Sequence, residues 1–177
     1  GLDYKYEVKI EHLNKGNFLN DLYYDKNILD KLYSDVLKIL ESNRDEKLKI
    51  LLSVVTDKIT KTPYNQNNRK VLIFTAFADT ASYLYRSMEK ELLSLGCYVG
   101  CVSGSDKPKT NNKKVITEYN SVLSAFSPQS KLGKSIDINE TIDILIGTDC
   151  ISEGQNLQDC DTVINYDIQW NKVSLIQ

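Results

Sequence analysis

Residues 144–167 constrain the fold of this chain more than any other stretch. Residues 144–146 are an apolar run of the kind that a buried parallel strand shows. Small and polar residues then fill positions 152–156, and a second strand pattern follows at 162–165. Ligands of open α/β sheets bind just beyond the carboxyl ends of strands. The stretch predicts two buried strands around a ligand-holding loop, with an ordinary strand-to-helix turn as the alternative on polarity alone.

The order of residues in this stretch is more specific than its polarity. It resembles motif V of superfamily-two helicases in its SNF-type form, at Thr148, Asp149, Ser152, Glu153, Gly154, Asn156, Leu157 and Gln158. The resemblance continues beyond the second strand, at Asp167, Trp170, Asn171 and Gln177. Gln177 matches the residue that opens motif VI of the same family.

This resemblance covers about residues 44–177 and implies an α/β fold, a three-layer RecA-like domain with a mostly parallel sheet. It implies the second motor domain of an ATP-dependent helicase or translocase, with the first RecA-like domain of the same chain as its partner. ATP and Mg²⁺ would be ligands of the intact protein. The substrate would be nucleic acid, with DNA favoured over RNA because Glu153 replaces an arginine that many RNA helicases carry.

The resemblance also implies two groups of site residues. Those expected to contact nucleic acid are Thr75, Ser103, Gly104, Thr148 and Gly154. Those expected to contact the nucleotide are Glu153, Gly154, Asn156 and Gln177. Asn156 stands where related helicases carry an aspartate that faces the ribose, and an amide can also bond a sugar hydroxyl.

No catalytic residue is expected within the 177 residues, because the chain lacks a P-loop and the arginines of motif VI. We expect the chain to be a piece of a longer protein. Two arginines should follow Gln177 within about four to eleven residues, one to three helical turns. Gly133, Lys134 and Ser135 imitate the end of a P-loop, but Pro128 stands where that motif needs glycine.

Apolar periodicity predicts the remaining elements. Helical spacing over 17–40, and a second helix capped at Asn43, indicate a helical lead-in at 1–62, before a RecA-like domain at 63–177. Strands are predicted at 71–74 and 97–103, with a helix between them that is capped by Asp79 and ends at Gly96. A further helix begins near Val115, and a polar connection spans 127–141. This alternation predicts a mostly parallel sheet covered on both faces.

Charge and cysteine content exclude several classes. A net charge of −2 disfavours a protein that holds nucleic acid by bulk charge alone, although hydroxyls and backbone N–H groups can still hold phosphates. The lysine-bearing residues 105–114 are either a solvated loop or a phosphate contact.

Cysteine spacing does not fit a structural zinc site and favours buried free thiols. Without an apolar run of about 18 residues, we expect a cytoplasmic protein with no membrane partner.

Two other classes of function remain as alternatives. A helicase-like α/β module without enzymatic activity could use the same fold to bind protein or nucleic acid. A Rossmann-like enzyme acting on a small molecule lacks its glycine fingerprint here.

Overall fold

The computed structural model describes residues 14–42, 45–61, 68–134, 136–151 and 155–167. The chain divides into two compact units, residues 1–47 and 48–177. Several predicted positions lie outside the described residues: Asn43, Ser135, Ser152, Glu153, Gly154, Trp170, Asn171 and Gln177. The predicted division at residue 62 stays a prediction.

The first unit is dominated by one long helix, α1 (Lys15–Glu41), where periodicity predicts a helix. Asn14 caps it, because its side-chain oxygen accepts a hydrogen bond from the N–H of Asn17 at 3.2 Å. Each described side chain of α1 is exposed, apolar ones included. No helix within the described residues is both long enough and apolar enough to span a membrane.

Helix α2 (Glu46–Thr60) carries its apolar face into the core of the second unit. Leu51 and Val55 are buried there, and Leu48, Leu52 and Ile59 are partly buried against the same cluster. The five residues recur at helical spacing in the sequence, which predicts that they share one face of a helix.

Five strands form one sheet in the order β3-β2-β4-β1-β5. They are β1 (Val71–Phe74), β2 (Val99–Val102), β3 (Lys109–Thr110), β4 (Ile144–Gly147) and β5 (Thr162–Asn165). All pairs are parallel except β2 with the short edge strand β3. The mostly parallel sheet predicted from the sequence is confirmed. The prediction that 162–165 is a buried strand is wrong, because β5 lies at the edge of the sheet and its Val163 is 57% exposed.

Helices cover both faces of this sheet, as the alternation of elements predicts. Helix α3 (Ala78–Ser94) and α2 pack on one face, around Leu84, Met88 and Leu92. Helix α4 (Tyr119–Phe126) packs on the other face, around Val122, Leu123 and Phe126. Burial of these side chains supplies the main driving force for the three-layer arrangement.

Some local predictions need correction. Helix α3 begins at Ala78, so Asp79 lies in its first turn and Phe77 occupies the cap position without a side-chain hydrogen bond. Helix α4 begins at Tyr119, and Val115 precedes it. Local hydrogen bonding decides such boundaries, and apolar periodicity does not encode it. Gly96 does end α3, with φ of 70°, and its N–H donates to Leu93 O at 2.9 Å.

The polar 127–141 connection is more ordered than its composition suggests. It contains helix α5 (Pro128–Leu132) and a 3-10 turn (Ile138–Glu140). Gly133 adopts the left-handed conformation, with φ of 64°, and terminates α5. The glycine of the P-loop-like triplet is therefore a helix terminator.

We expect Gly147→Ala, at the end of β4, to destabilise the fold by about 1–3 kcal/mol. A Cβ at position 147 would lie 1.8 Å from Ile151 Cδ1 and 2.8 Å from its Cγ1, and Ile151 is only 2% exposed. Chemical denaturation measures the loss. Gly104→Ala is the control, because its Cβ would meet only Cys150 Cβ, at 3.9 Å. Equal stability of the two variants would contradict this account of Gly147.

Candidate functional site

Three neighbouring strands end at the same edge of the sheet, which we call the carboxyl edge. The last residues of β1, β4 and β2 lie side by side, since Gly147 pairs with both Phe74 and Val102. The next residues along the chain are Thr75, Thr148 and Ser103, and all three are buried, at 1%, 8% and 9% exposure. The structure thus brings together three hydroxyl groups that the sequence separates by up to 73 positions.

The hydroxyl of Thr75 already has a strong internal partner. It donates a hydrogen bond to Asp167 Oδ2, and the N–H of Ala76 donates to the same oxygen at 3.0 Å. A hydrogen bond to a charged carboxylate is stronger than one between neutral groups. A phosphate would have to displace this carboxylate before the Thr75 hydroxyl could bind it.

The turn after β4 holds Thr148 in place. Residues Asp149–Ile151 form a 3-10 turn, in which the N–H of Ile151 donates to Thr148 O at 3.0 Å. The Tyr119 hydroxyl on α4 donates to Cys150 O at 2.7 Å. Burial raises the pKa of Tyr119, and the nearby thiol of Cys150 raises it further, so the phenol stays a neutral donor.

Within the described part of the chain, the Thr148 hydroxyl makes only a weak contact. Its Oγ1 lies 3.5 Å from Cys150 Sγ, and a thiol sulfur is a poor acceptor. Compared with Thr75, this hydroxyl can change partner at little cost in free energy. Thr148 is therefore the residue of the pair better prepared to bind a ligand.

Beside Thr148, the backbone at Gly104 is open. Gly104 is exposed, and only Cys150 lies near the place that its Cβ would occupy. Ser103 Oγ accepts a hydrogen bond from the N–H of Asp106 at 3.1 Å, which leaves its own proton for another acceptor. A ligand atom can reach this part of the carboxyl edge without meeting a side chain at position 104.

The lysines of residues 105–114 differ in their surroundings. Lys109 Nζ donates to Ser82 Oγ at 2.9 Å, and Ser82 Oγ donates to Asp106 Oδ2 at 3.1 Å. Lys107, in contrast, is exposed. Lys109 is thus part of an internal network that holds the loop against α3.

Asn156 lies at the opposite edge of the sheet, which we call the amino edge because β1, β2 and β4 begin there. Residues 155–161 cross to this edge before β5 begins, and Asn156 borders a cavity of about 1110 Å³. Tyr98 and Asp143, just before β2 and β4, line the same cavity. The predicted nucleotide residue Asn156 is therefore separated from Thr75, Ser103, Gly104 and Thr148, while Glu153, Gly154 and Gln177 lie outside the described residues.

Lys70, which lines the same cavity, has partners within the protein. Lys70 Nζ donates to Ile142 O at 2.7 Å and lies 5.5 Å from the centre of the Phe126 ring. Burial lowers the pKa of Lys70, and the carboxylates of Asp143 and Asp159 oppose that effect. Within the described ranges there is no cluster of three or more His, Cys, Asp or Glu side chains that could hold a metal ion.

All four cysteines fall within the described residues and are free thiols. Cys97 and Cys101 are buried as predicted, and burial raises the pKa of each to about 11. Cys150 and Cys160 are half-buried.

Sequence reasoning missed two residues that organise the edges. These are Tyr119 and Asp159, to which the sequence analysis assigns no role. An aromatic residue with a hydroxyl, at the start of a helix that packs on the sheet, was the available signal for Tyr119. Asp159 offered no local signal, because its partners lie about 30 positions away in the 127–141 connection.

Replacing Thr75 by valine should destabilise the protein by about 1.5–3 kcal/mol, since the hydrogen bond to the Asp167 carboxylate is lost. Urea unfolding measures the change. Thr75→Ser keeps the hydroxyl and should retain most of the stability. If valine and serine destabilise the protein equally, packing and not the hydroxyl explains the effect of position 75.

Comparison with known proteins agrees with this architecture. Residues 46–177 match the family described as helicase conserved C-terminal domain. The chain is 35% identical, over 126 residues, to a probable ATP-dependent RNA helicase ddx51 of Dictyostelium discoideum. That match covers 71% of this chain and 19% of the relative, so the chain spans about a fifth of the relative's length.

Among solved structures, the chain is similar to the C-terminal part of the Fun30 ATPase domain. The sequence identity is 21% and the TM-score is 0.44, over 93% of this chain and 48% of the other. The family match extends from the first turn of α2 through every strand of the sheet. This chain belongs to the helicase conserved C-terminal domain family, and its sheet with helices on both faces is the RecA-like fold of that family.

Proposed function

We propose that this chain is the second motor domain of an ATP-dependent translocase of the SNF type that acts on DNA. The observation that carries the proposal is the carboxyl edge, where the weakly held hydroxyl of Thr148 lies near the open backbone of Gly104. Neutral hydroxyl and N–H donors can bind phosphate oxygens without a basic surface, in keeping with a net charge of −2. Such contacts hold the nucleic-acid backbone and read no base sequence.

Each donor at this edge would have a distinct part in binding phosphate. The Thr148 hydroxyl would donate a hydrogen bond to a phosphate oxygen, in place of its contact with Cys150. Ser103 would add a second hydroxyl, because its oxygen already accepts from the N–H of Asp106. Thr75 would mainly hold Asp167 and would reach phosphate only after losing that partner.

Nucleotide binding is proposed for the segment that follows. Asn156, together with Glu153, Gly154 and Gln177, would contact ATP supplied with Mg²⁺. The exposed amide of Asn156 can bond a ribose hydroxyl, and it borders a cavity large enough for part of a nucleotide. The first RecA-like domain of the same protein would supply the P-loop and the metal ligands. Arginines beyond Gln177 would stabilise charge on the transferred phosphate.

RNA is a second candidate substrate. One observation favours it, namely the 35% identity to a protein whose name describes an RNA helicase. Steady-state ATPase of the intact protein with duplex DNA, single-stranded DNA and RNA separates the two candidates. Stimulation by duplex DNA above that by RNA supports the proposal, and the reverse order replaces it with an RNA helicase. The cytoplasm is the compartment we propose for either activity.

We expect the isolated chain of 177 residues to hydrolyse no ATP, with or without DNA. The physical reason is the missing P-loop and the missing arginines, of which a single arginine finger accounts for about 10³–10⁵ in rate. Phosphate release by purified protein measures this. Turnover above a buffer blank that follows the protein through purification contradicts the expectation. No stimulation of the intact protein by any nucleic acid would favour the non-enzymatic module.

In the intact protein, Thr148→Ala should weaken DNA binding about tenfold, the effect of losing one hydrogen bond to a charged group. Thr148→Ser is the matched control, because it keeps the hydroxyl. Titration with DNA at several salt concentrations adds a second readout. A neutral donor releases no counterion, so the slope of log affinity against log salt should stay unchanged in Thr148→Ala.

Lys107→Ala tests a charged side chain at the same edge, in contrast to the neutral donor Thr148. If the exposed Lys107 contacts a phosphate, its removal lowers that salt slope by about 0.9. If Thr148→Ala keeps wild-type affinity, or changes the salt slope as a lost cation would, the role proposed for Thr148 is wrong.

A further inference from the structure

Asp159 is the most densely hydrogen-bonded residue of the 155–161 segment. Its backbone N–H donates to Ser127 Oγ at 3.3 Å, and its carbonyl accepts from Asn68 Nδ2 at 3.0 Å. Its carboxylate accepts from the N–H of Gln129 at 2.8 Å and the N–H of Ser130 at 2.9 Å. The hydroxyl of Ser130 donates to the same carboxylate. The side chain of Asp159 thus joins the segment to the start of α5. Its backbone joins the segment to Asn68, which precedes β1.

The carboxylate is chemically suited to this place. Burial alone would raise the pKa of Asp159, but the hydrogen bonds from Ser130, Gln129 and Ser127 together hold it below its ordinary value. The first N–H groups of a helix lack intrahelical partners, and here an ionised side chain from a distant loop accepts two of them. The contact is therefore charge-assisted at neutral pH.

Two further contacts hold the ends of the same segment. Lys131 Nζ on α5 donates to Gln155 Oε1, and Lys58 on α2 forms an ion pair with Asp161 at 2.9 Å. The side chains of Lys58 and Asp161 are only 13% and 17% exposed. Between these ends, Leu157 packs against the core around Phe126. Asn156 precedes this anchored leucine and is itself exposed.

We propose that Asp159 is a positioning residue for the nucleotide, because it fixes the 155–161 segment to the 127–141 connection and so sets the place of Asn156. This inference rests on the proposed function, in which Asn156 contacts the nucleotide. A loop already held in the binding geometry loses less conformational entropy when the ligand binds. Without Asp159, Asn156 remains in the chain, but ATP binding must order the segment that carries it.

The test uses steady-state ATPase of the intact protein at saturating nucleic acid. Asp159→Ala should raise KM for ATP about fivefold, with kcat within about twofold, as for lost ground-state binding. Reduced stability alone lowers the active fraction, and hence kcat, without changing KM. Asp137→Ala is the matched control, since Asp137 also accepts from a helical N–H, that of Asn139 at 2.9 Å, within the same connection. Its described hydrogen bonds do not reach the 155–161 segment, so KM should stay at the wild-type value.

A double-mutant cycle shows whether Asp159 acts through Asn156. Adding Asp159→Ala to Asn156→Ala should leave KM where Asn156→Ala alone places it, because the positioned group is gone. Additive effects of the two changes overturn the inference. An unchanged KM in folded Asp159→Ala also overturns it, while the proposed function stands if the wild type is active. An intact wild-type protein without ATPase activity overturns the proposed function and this inference together.

Asp159→Asn replaces Asp159→Ala in the KM measurement if the alanine variant does not fold. Its carbonyl oxygen can still accept from Ser130, but its amide group would face the N–H of Gln129 as a second donor. We expect about a two- to threefold rise in KM, smaller than for alanine. A KM equal to that of the wild type in a folded Asp159→Asn protein overturns the inference.

Discussion

The parallel pairing of β4 with β1 on one side and β2 on the other is the constraint on which the rest of the structure depends. All four residues of β4 are buried, so its side chains serve the cores on both faces of the sheet. Gly147 pairs with Phe74 and Val102, and this register brings the three strand ends level. A shift by one residue would exchange the two faces of β4 and move Thr148 away from its neighbours. Core packing and site geometry are thus set by the same hydrogen bonds.

The three buried hydroxyls of the carboxyl edge differ in how strongly they are held by partners within the protein. Buried hydroxyls need partners, and each one here has a partner of different strength. Thr75 holds a carboxylate, Ser103 accepts from a backbone N–H, and Thr148 lies near a thiol. The strong contact of Thr75 stabilises the edge, whereas the weak contact of Thr148 allows this residue to exchange its partner for a ligand.

Thr148 and Asn156 lie at opposite edges of the sheet because β4 and β5 are parallel. A chain that leaves β4 at the carboxyl edge must return to the amino edge before β5 can begin. Thr148 and Asn156 are only eight positions apart in the sequence, yet they belong to opposite edges. One short piece of chain therefore joins the two positions, and Asp159, three residues beyond Asn156, is anchored to the start of α5.

Local sequence patterns predict the layers of this domain and the residues that end its central strands. Periodicity and apolar runs are local properties, and they identify α2, β1 and β4 because side-chain burial in these elements follows from the repeat of the backbone. The resemblance through Thr148 and Asn156 pointed to the helicase family for the same reason, since a motif is read within one stretch. Only the tertiary structure shows that an internal hydrogen bond holds the Thr75 hydroxyl, while the Thr148 hydroxyl can change partner. Thr75 meets Asp167 across 92 positions and Asp159 meets Ser130 across 29, so these contacts depend on strand order and loop packing, which no local pattern encodes.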